Sequence, residues 1–525
     1  MPTLTIDDRL VSFEPGETVL QAASRAGIAI PSLCHYPGIE PPVSCYVCVV
    51  KIRGKQGLSP SCATLAEEGM AVESGTEEVR RYRRRALELL MSEHAGDCEA
   101  PCRRICPADL DIPAVARHLA AGELGAAVRT VRERLALPGV LGHICPAPCE
   151  KGCYRAPLDG AVSIRELHRS VAAAEPMSGG STAPCAATPS GKKVAVIGAG
   201  PAGLSCAYYL ARLGHACRVV DERDEPGGML RYGVDRALLP LEVLEREVSA
   251  IRACGVTFQM GCRMADQGAL DELIRGCDAV VLATGMQAPE RPWPFAVDAS
   301  AKGIVTEAKT FATSLSGVFA CGGAIAVCRL AVRAVGQGRL AAESVHRFLT
   351  NSGGGAAWSS RCDSHLGKPD EEELQRMAAT DLAAMSGHPC GEDRLPAAVV
   401  AAASRCMQCD CGKKDDCALR AYAQEYEINR DQYRTGARKR VARKRYPGGL
   451  AHEPGKCIDC GRCVGITAAA GIRPGLAFGN RGFDVVVKPP FCDDVEVAMG
   501  AALEQCLAAC PVGALWSWRR QDRAT

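Results

Sequence analysis

At 525 residues the chain has room for roughly three or four domains, and an ordinary 47% hydrophobic content lets sizeable cores form. The formal charge of +2 is silent on nucleic acid, while an aromatic content of 5% disfavours a stacking platform for single strands. No apolar run reaches the ~18–20 residues of a membrane span and no signal peptide opens the chain, so a cytoplasmic protein without a membrane span is expected. Of 30 cysteines, 18 fall into tight groups; in a cytosolic chain such groups mean metal rather than a disulfide scaffold. The others, Cys206, Cys217 and Cys254 among them, read as small buried hydrophobes.

Residues 3–6 and 10–13 alternate like the two strands of a hairpin, and 19–26 reads as a short helix. Cys34, Cys45, Cys48 and Cys62 follow at C-x10-C-x2-C-x13-C, the close pair entering a strand. Four thiolates can hold a [2Fe–2S] cluster, one pair per iron; zinc or unrelated buried thiols are the bland readings. Residues 1–75 resemble the N-terminal β-grasp ferredoxin domain of iron-only hydrogenases and of the large iron–sulfur subunit of respiratory NADH dehydrogenase. Tyr46 stands where that family often has Arg.

Residues 76–175 read as a helical domain. After a basic helical pattern over 78–91, HAGDCEAPCRRICP supplies His94, Cys98, Cys102 and Cys106, and HICPAPCEKGC supplies Cys145, Cys149 and Cys153. These nearly suffice for two cubane clusters, and the Cys106-Pro107 pair suggests interleaved ligand sets. The region resembles the N-terminal domain of the glutamate synthase small subunit and of dihydropyrimidine dehydrogenase. That resemblance implies one [4Fe–4S] cluster on Cys98, Cys102 and Cys153 and another on Cys106, Cys145 and Cys149, each short of a fourth ligand. It sets His94 roughly where the family has a cysteine, with the spacing off by one, and His168 near a non-cysteine ligand. A structural role is the alternative for both histidines.

A Ser/Gly/Pro/Ala-rich linker over 174–192 precedes a nucleotide fold spanning 192–350. VAVIGAGPAG carries Gly198, Gly200, Ala202 and Gly203 between a strand and a helix: a tight turn, a close approach for pyrophosphate, and close helix–strand packing. A second strand over 216–220 ends at Asp221, 18 residues past Gly203, about where a ribose-binding acid belongs. PGG (ending at Gly228), RYG, and ATG (Thr284, Gly285) resemble the same glutamate synthase family and imply FAD, with NAD as the minor alternative. A full-length relative would then insert a second Rossmann domain for NAD(P)H. Here about 20 residues separate Gly285 from Val305 and no second Gly-x-Gly-x-x-Gly occurs. The closing flavin motif reads GVFACGG, with Gly322 followed by Gly323 where the family has an aspartate. Its lost hydrogen bonds weaken FAD binding by ~1–3 kcal/mol.

Residues 351–400 read as a linker and an acidic helix, and 401–445 as a Cys-rich segment. Cys406, Cys409, Cys411 and Cys417 could hold a [4Fe–4S] cluster or zinc, or stay reduced. The basic run over 434–445 reads as a solvated helix face or a docking site for an acidic partner. Within 446–525, Cys457, Cys460, Cys463 and Cys510 are the four of a two-cluster ferredoxin that share one cube; Thr467 sits where a ligand of the other cube would be, and Cys506 is left over.

The expected architecture is multidomain α+β and α/β: a β-grasp [2Fe–2S] ferredoxin, a helical double-cluster domain, a Rossmann-like FAD domain lacking the NAD(P)H insert, and a C-terminal [4Fe–4S] ferredoxin-like domain. FAD, one [2Fe–2S] and about three or four [4Fe–4S] clusters are expected, with zinc open at Cys406–Cys417. No nucleophile, general base or substrate pocket stands out. The expected role is an electron-relay subunit between a partner's NAD(P)H-oxidising flavoprotein and a terminal reductase or dehydrogenase. A stand-alone NAD(P)H oxidoreductase and a non-catalytic cluster scaffold are the alternatives.

Overall fold

The computed structural model describes residues 1–175, 187–286, 293–351, 362–385, 396–436, 438–491 and 494–518. The linkers expected over 174–192 and 351–360 fall largely outside them. The chain forms two compact units. One comprises Met1–Glu99, Arg361–Ala384 and Cys409–Thr525; the other comprises Ala100–Ser360 and Met385–Gln408.

The first unit opens with strands β1 (Thr3–Ile6) and β2 (Arg9–Ser12), helix α1 (Val19–Arg25), strands β3 (Val49–Ile52), β4 (Ser59–Pro60) and β5 (Ala71–Glu73), and helix α2 (Glu77–Glu93). The sheet order is β2-β1-β5-β3-β4, with β1 parallel to β5 and antiparallel to β2. A capping box between Thr18 and Gln21 starts α1, whose Val19, Leu20, Ala22 and Ala23 pack with Leu4, Ile6, Val50 and Val72. Thr76 caps α2, and Glu77 and Glu78 complement its dipole.

The second unit begins with helices α3 (Pro101–Ile105), α4 (Ile112–Ala120), α5 (Leu124–Arg132), α6 (Pro138–Ile144), α7 (Pro148–Lys151), α8 (Ala156–Asp159) and α9 (Ile164–Ala174). The nucleotide fold follows: β6 (Lys193–Ile197), α10 (Pro201–Arg212), β7 (Ala216–Val220), α11 (Met229–Tyr232), α12 (Leu241–Ala253), β8 (Thr257–Gln259), α13 (Gln267–Gly276) and β9 (Ala279–Leu282). A short hairpin, β10 (Ala299–Ser300) and β11 (Gly303–Ile304), leads to β12 (Val318–Ala320) and the long helix α14 (Ala331–Thr350). The sheet is parallel throughout, in the order β12-β9-β6-β7-β8. Near-continuous apolar strands such as VAVI in β6 and AVVL in β9 suit a sheet covered on both faces. Helices α10 and α14 cross closely: Ser205 Oγ donates to the Val335 carbonyl at 2.7 Å, and a Cβ on Gly338 would lie 2.2 Å from the Ala202 carbonyl oxygen.

The helical part is tied to the nucleotide fold inside this unit by a buried ion network. Arg132 donates to Glu247 at 2.7 Å, to Glu175 at 3.0 Å and to the Ala136 carbonyl at 2.9 Å. A histidine pair ties the start of β7 to α14: His215 Nε2 lies 2.9 Å from His346 Nδ1, and its Nδ1 lies 2.7 Å from Ser190 Oγ.

The chain continues with α15 (Glu371–Met385), α16 (Ala397–Ser404), α17 (Ala418–Glu425), β13 (Lys444–Arg445), β14 (Leu450–His452), α18 (Arg462–Ala469), β15 (Ala477–Gly479), β16 (Val486–Lys488), α19 (Val495–Met499), α20 (Leu503–Ala509) and β17 (Leu515–Ser517). Strands β13, β14 and β17 form an antiparallel sheet, and β15 pairs with β16. Among the described residues of the basic run over 434–445 no helix forms, and while Arg434, Arg440 and Lys444 are exposed, three of its cations are engaged internally. Arg438 grips Glu373 through both carboxylate oxygens (2.6 and 2.5 Å), Lys439 meets Asp459 at 2.6 Å, and Arg443 meets Glu453 at 3.3 Å. Among the described residues no helix is long and apolar enough to cross a membrane.

Two consequences are measurable. R132M leaves Glu247 buried without its cation and lowers the denaturant-derived unfolding free energy by about 3–5 kcal/mol. Burial and His346 depress the His215 pKa, so the folded state binds fewer protons than the unfolded one below about pH 6.5. Stability is therefore kept above that pH and lost as pH falls below it; H215Q flattens that dependence in urea midpoints compared at about pH 7.5 and about 5.5.

Candidate metal and nucleotide sites

Cys34, Cys45, Cys48 and Cys62 are all buried in the first unit. Their thiols touch in a chain: Cys34 and Cys45 Sγ lie 3.3 Å apart, and the Cys62 thiol hydrogen-bonds those of Cys34 and Cys48. Sulfur neighbours hold the Cys34 thiol well below its ordinary range and bring Cys48 down to about 7, while they push Cys45 and Cys62 up. Four such groups cannot all ionise in a buried loop without a cation among them. The donor set fits a [2Fe–2S] cluster, whose iron would supply that cation.

In the second unit, Cys106, Cys145 and Cys149 line one enclosed cavity. Cys106 follows α3, Cys145 caps α6, and Cys149 lies in α7, so three short helices aim their ends at one point. His168, on α9, lines the same cavity; it is buried and its Nδ1 has no hydrogen-bond partner. Burial lowers its pKa to about 4, which keeps the ring neutral and able to accept. The sequence set of three thiols is thus brought together with a fourth donor that spacing alone left open. Of the other implied set, Cys98 belongs to the first unit and Cys102 and Cys153 to the second. His94 is buried in the first unit, and its Nδ1 also lacks a partner.

Cys457, Cys460, Cys463 and Cys510 line a cavity with Ile458, Val495, Met499 and Val512. Burial pushes Cys460 up to about 12 and raises Cys457 and Cys463 well above the ordinary thiol range, so unescorted thiolates are disfavoured there and a cationic cluster would reverse that balance. The Asp459 amide donates to Cys457 Sγ at 3.4 Å, a contact that favours the thiolate. Thr467 is fully buried; its hydroxyl donates to the Val464 carbonyl at 3.0 Å and accepts from the Leu476 amide at 3.1 Å, so the place of a second ligand set is closed by local hydrogen bonds. Cys506 sits beside this site, its Sγ 3.9 Å from the Cys463 carbonyl.

Cys406 belongs to the second unit, and Cys409, Cys411 and Cys417 to the first. Among the described residues no three His, Cys, Asp or Glu side chains are gathered to hold a single metal ion, and the zinc alternative gains no support. A cluster spreads its ligands over several irons, so wider thiol groups remain compatible with iron–sulfur centres.

The nucleotide turn is built on exclusion of side chains. A Cβ on Gly198 (φ +109°) would meet the Ala283 carbonyl oxygen at 2.4 Å, and one on Gly203 would lie 1.8 Å from the Gly198 carbonyl oxygen. Gly200 faces open space at the start of α10, where the first amides of the helix point outward. Gly228 (φ +52°) crosses against Gly200, and Gly285 and Gly322 also have positive φ. Ala202 is buried, 2.6 Å from where a Cβ on Gly322 would fall. Thr284 precedes Gly285 on the turn after β9. This bare cradle at a helix N-terminus fits a pyrophosphate.

The turn orients the Asp221 carboxylate: Oδ2 accepts from the Ala199 amide at 2.6 Å and Oδ1 from the Arg223 amide at 2.8 Å. At Gly323 a Cβ would meet the Met286 amide nitrogen at 2.9 Å, so the backbone after β9 closes the space an aspartate would need.

Comparison with known families locates three segments. Residues 1–77 match a 2Fe-2S iron-sulfur cluster binding domain. Residues 76–179 match the dihydropyrimidine dehydrogenase domain II, 4Fe-4S cluster, and residues 183–338 the pyridine nucleotide-disulphide oxidoreductase family. The NADP(+)-dependent formate dehydrogenase subunit beta of Moorella thermoacetica is 40% identical over 213 residues, 37% of this chain and 30% of that protein. The NADPH-Fe(3+) oxidoreductase subunit beta of Geobacter sulfurreducens is 36% identical over 206 residues, 39% of this chain and 30% of its own length. The NAD-dependent dihydropyrimidine dehydrogenase subunit PreT of Salmonella typhimurium is 33% identical over 207 residues, 38% and 49%. The chain thus spans less than half of each of these relatives. It combines a [2Fe–2S] domain, a [4Fe–4S] domain and a Rossmann-like oxidoreductase domain of flavin type, and it is similar to subunits of oxidoreductases.

Two glycine variants separate binding from folding. G200V enters open space, so its unfolding temperature stays near that of the parent while flavin released on denaturation falls. G203A drives a methyl into the Gly198 carbonyl and costs about 2–4 kcal/mol in denaturant unfolding.

Proposed function

We propose that this chain is an iron–sulfur flavoprotein subunit that relays electrons between a partner's pyridine-nucleotide site and an acceptor in a multi-subunit oxidoreductase. The observation that carries the reading is the route of the chain after β9. A short hairpin returns it to β12 and the same sheet, where a hydride-accepting relative would insert a second nucleotide fold, while the pyrophosphate cradle is kept. The three relatives named above, each a subunit by its printed name, support it.

FAD, when bound, would supply the exchange between paired and single electrons, and the clusters would carry single ones. Gly198, Gly200 and Gly203 with the α10 amides would hold the pyrophosphate. Asp221, oriented by the Ala199 and Arg223 amides, keeps acceptor sites on both oxygens and would hold the ribose. Cys34, Cys45, Cys48 and Cys62 would hold the [2Fe–2S] cluster. Cys106, Cys145 and Cys149 with His168, and Cys457, Cys460, Cys463 and Cys510, would hold [4Fe–4S] clusters. The apolar lining of the last cavity excludes water from the sulfurs. Partners would be an NAD(P)H-oxidising flavoprotein and a terminal reductase or dehydrogenase, in the cytoplasm. Formate dehydrogenase, hydrogenase and bifurcating assemblies are the candidate settings.

The scaffold alternative draws on Gly323, where an aspartate contact is lost. One experiment separates the readings. The anaerobically purified chain should release FAD on denaturation, contain iron and sulfide, and stay oxidised when mixed with NADPH or NADH until a nicotinamide-oxidising partner is added. Rapid bleaching by NADPH alone would restore the stand-alone oxidoreductase; iron and sulfide without flavin would favour the scaffold.

A further inference from the structure

The segment around His94 and Cys98 folds within the first unit, against a stretch that is distant in the chain. The Ala95 amide donates to the Gly455 carbonyl at 2.8 Å, and the Cys411 amide donates to the Cys98 carbonyl at 3.1 Å. Both thiols are buried, and each lies within electrostatic reach of the other. The Ser364 amide donates to Cys98 Sγ at 3.3 Å, which favours a thiolate at that sulfur.

Two glycines hollow out this neighbourhood. A Cβ on Gly513 would fall 2.2 Å from Cys411 Sγ and 3.5 Å from Lys456 Cδ, and one on Gly96 would fall 2.4 Å from Lys456 Cε. The bare positions let the Cys411 sulfur and the buried Lys456 stem lie side by side. The Lys456 ammonium, 2.8 Å from Glu453, acts on Cys411 as a buried cation. His94 completes the wall: it is buried and its Nδ1 has no partner. Cys417, six residues past Cys411, lies within electrostatic reach of Cys411 and of Cys510. A buried imidazole with Nδ1 unpartnered, two buried cysteines joined by a backbone hydrogen bond, and a buried lysine describe a site for an iron–sulfur core larger than one ion, the lysine offsetting the negative charge of its thiolates, since no trio here is gathered tightly enough for a single metal.

We propose that Cys98 and Cys411 are ligands of one iron–sulfur cluster, with His94 Nδ1 as a third donor, in a centre assembled from the first and last thirds of the chain. The proposal rests on the iron–sulfur reading above. It separates Cys98 from the Cys102 and Cys153 set and denies the 406–417 segment a metal of its own. Each thiol gives up its proton as it binds iron, Lys456 offsets the charge gained, and Cys417, within electrostatic reach of Cys411, fills the remaining position.

The test uses the full chain, reconstituted anaerobically as parent, C98A, C411A and the double variant, read by iron and sulfide content and by EPR of the reduced protein. The expected result is that both single variants and the double lose the same iron complement and the same signal, while the [2Fe–2S] signal of Cys34–Cys62 persists as a control for folding. Loss of different signals by the two single variants, greater iron loss in the double, or full iron retention in either single variant overturns the proposal. A parent chain without iron or sulfide overturns the iron–sulfur reading itself. Should a variant lose the [2Fe–2S] signal as well, the parent holoprotein decides: during graded oxidative release of iron, Cys98 and Cys411 should become open to alkylation at the same stage, and release at separate stages overturns the proposal.

Discussion

The constraint on which the chain depends is the burial of sulfur. Thiol after thiol is buried or partly buried, and for most of them burial pushes the pKa up, so the protein by itself disfavours the thiolate that metal binding requires. A cationic cluster reverses that penalty, and its binding energy becomes folding energy. The surrounding charges are arranged to the same end. Lys456 is buried beside Cys411, and backbone amides point at the sulfurs of Cys98 and Cys457. Neutral imidazoles at His94 and His168, each with Nδ1 unpartnered, extend the pattern, for a buried ring nitrogen without a partner is costly unless something binds it.

The nucleotide turn meets a different requirement with different means. There the decisive quantity is empty space. Gly198 and Gly203 bring two backbones to a separation no side chain tolerates, and this contact fixes the direction in which the α10 amides point. Asp221 then locks the turn from behind through two main-chain amides. At the far end of the sheet the same logic runs in reverse: the backbone at Met286 occupies the space beside Gly323, so the absence of an aspartate there is matched by local packing.

The C-terminal arm gathers one expected ligand set and closes the place of a second. The four retained cysteines line one cavity, and Thr467 fills the other position with two hydrogen bonds of its own. Three cations of its basic run, Arg438, Lys439 and Arg443, are engaged internally, in a bidentate contact with Glu373 and contacts with Asp459 and Glu453, and serve the unit's cohesion.

Short-range features were legible in the amino-acid order. The hairpin of β1 and β2, the helices α1 and α2, the glycine turn and the close cysteine pairs all lie within a few residues of their partners, where chain geometry leaves few options. The short interval between Gly285 and Val305 was also readable, because chain length bounds what can be folded there. Spacing could not say which distant segments meet. That Cys98 lies against Cys411, that His168 joins three cysteines, that Asp221 meets the Ala199 amide and that the basic run finds carboxylates are outcomes of packing between elements far apart in the chain. Residue types and local periods thus determined the modules and the chemistry of their donors. The tertiary structure decided which donors share a site, because buried sulfur and charge must find compensation wherever the folded chain brings it.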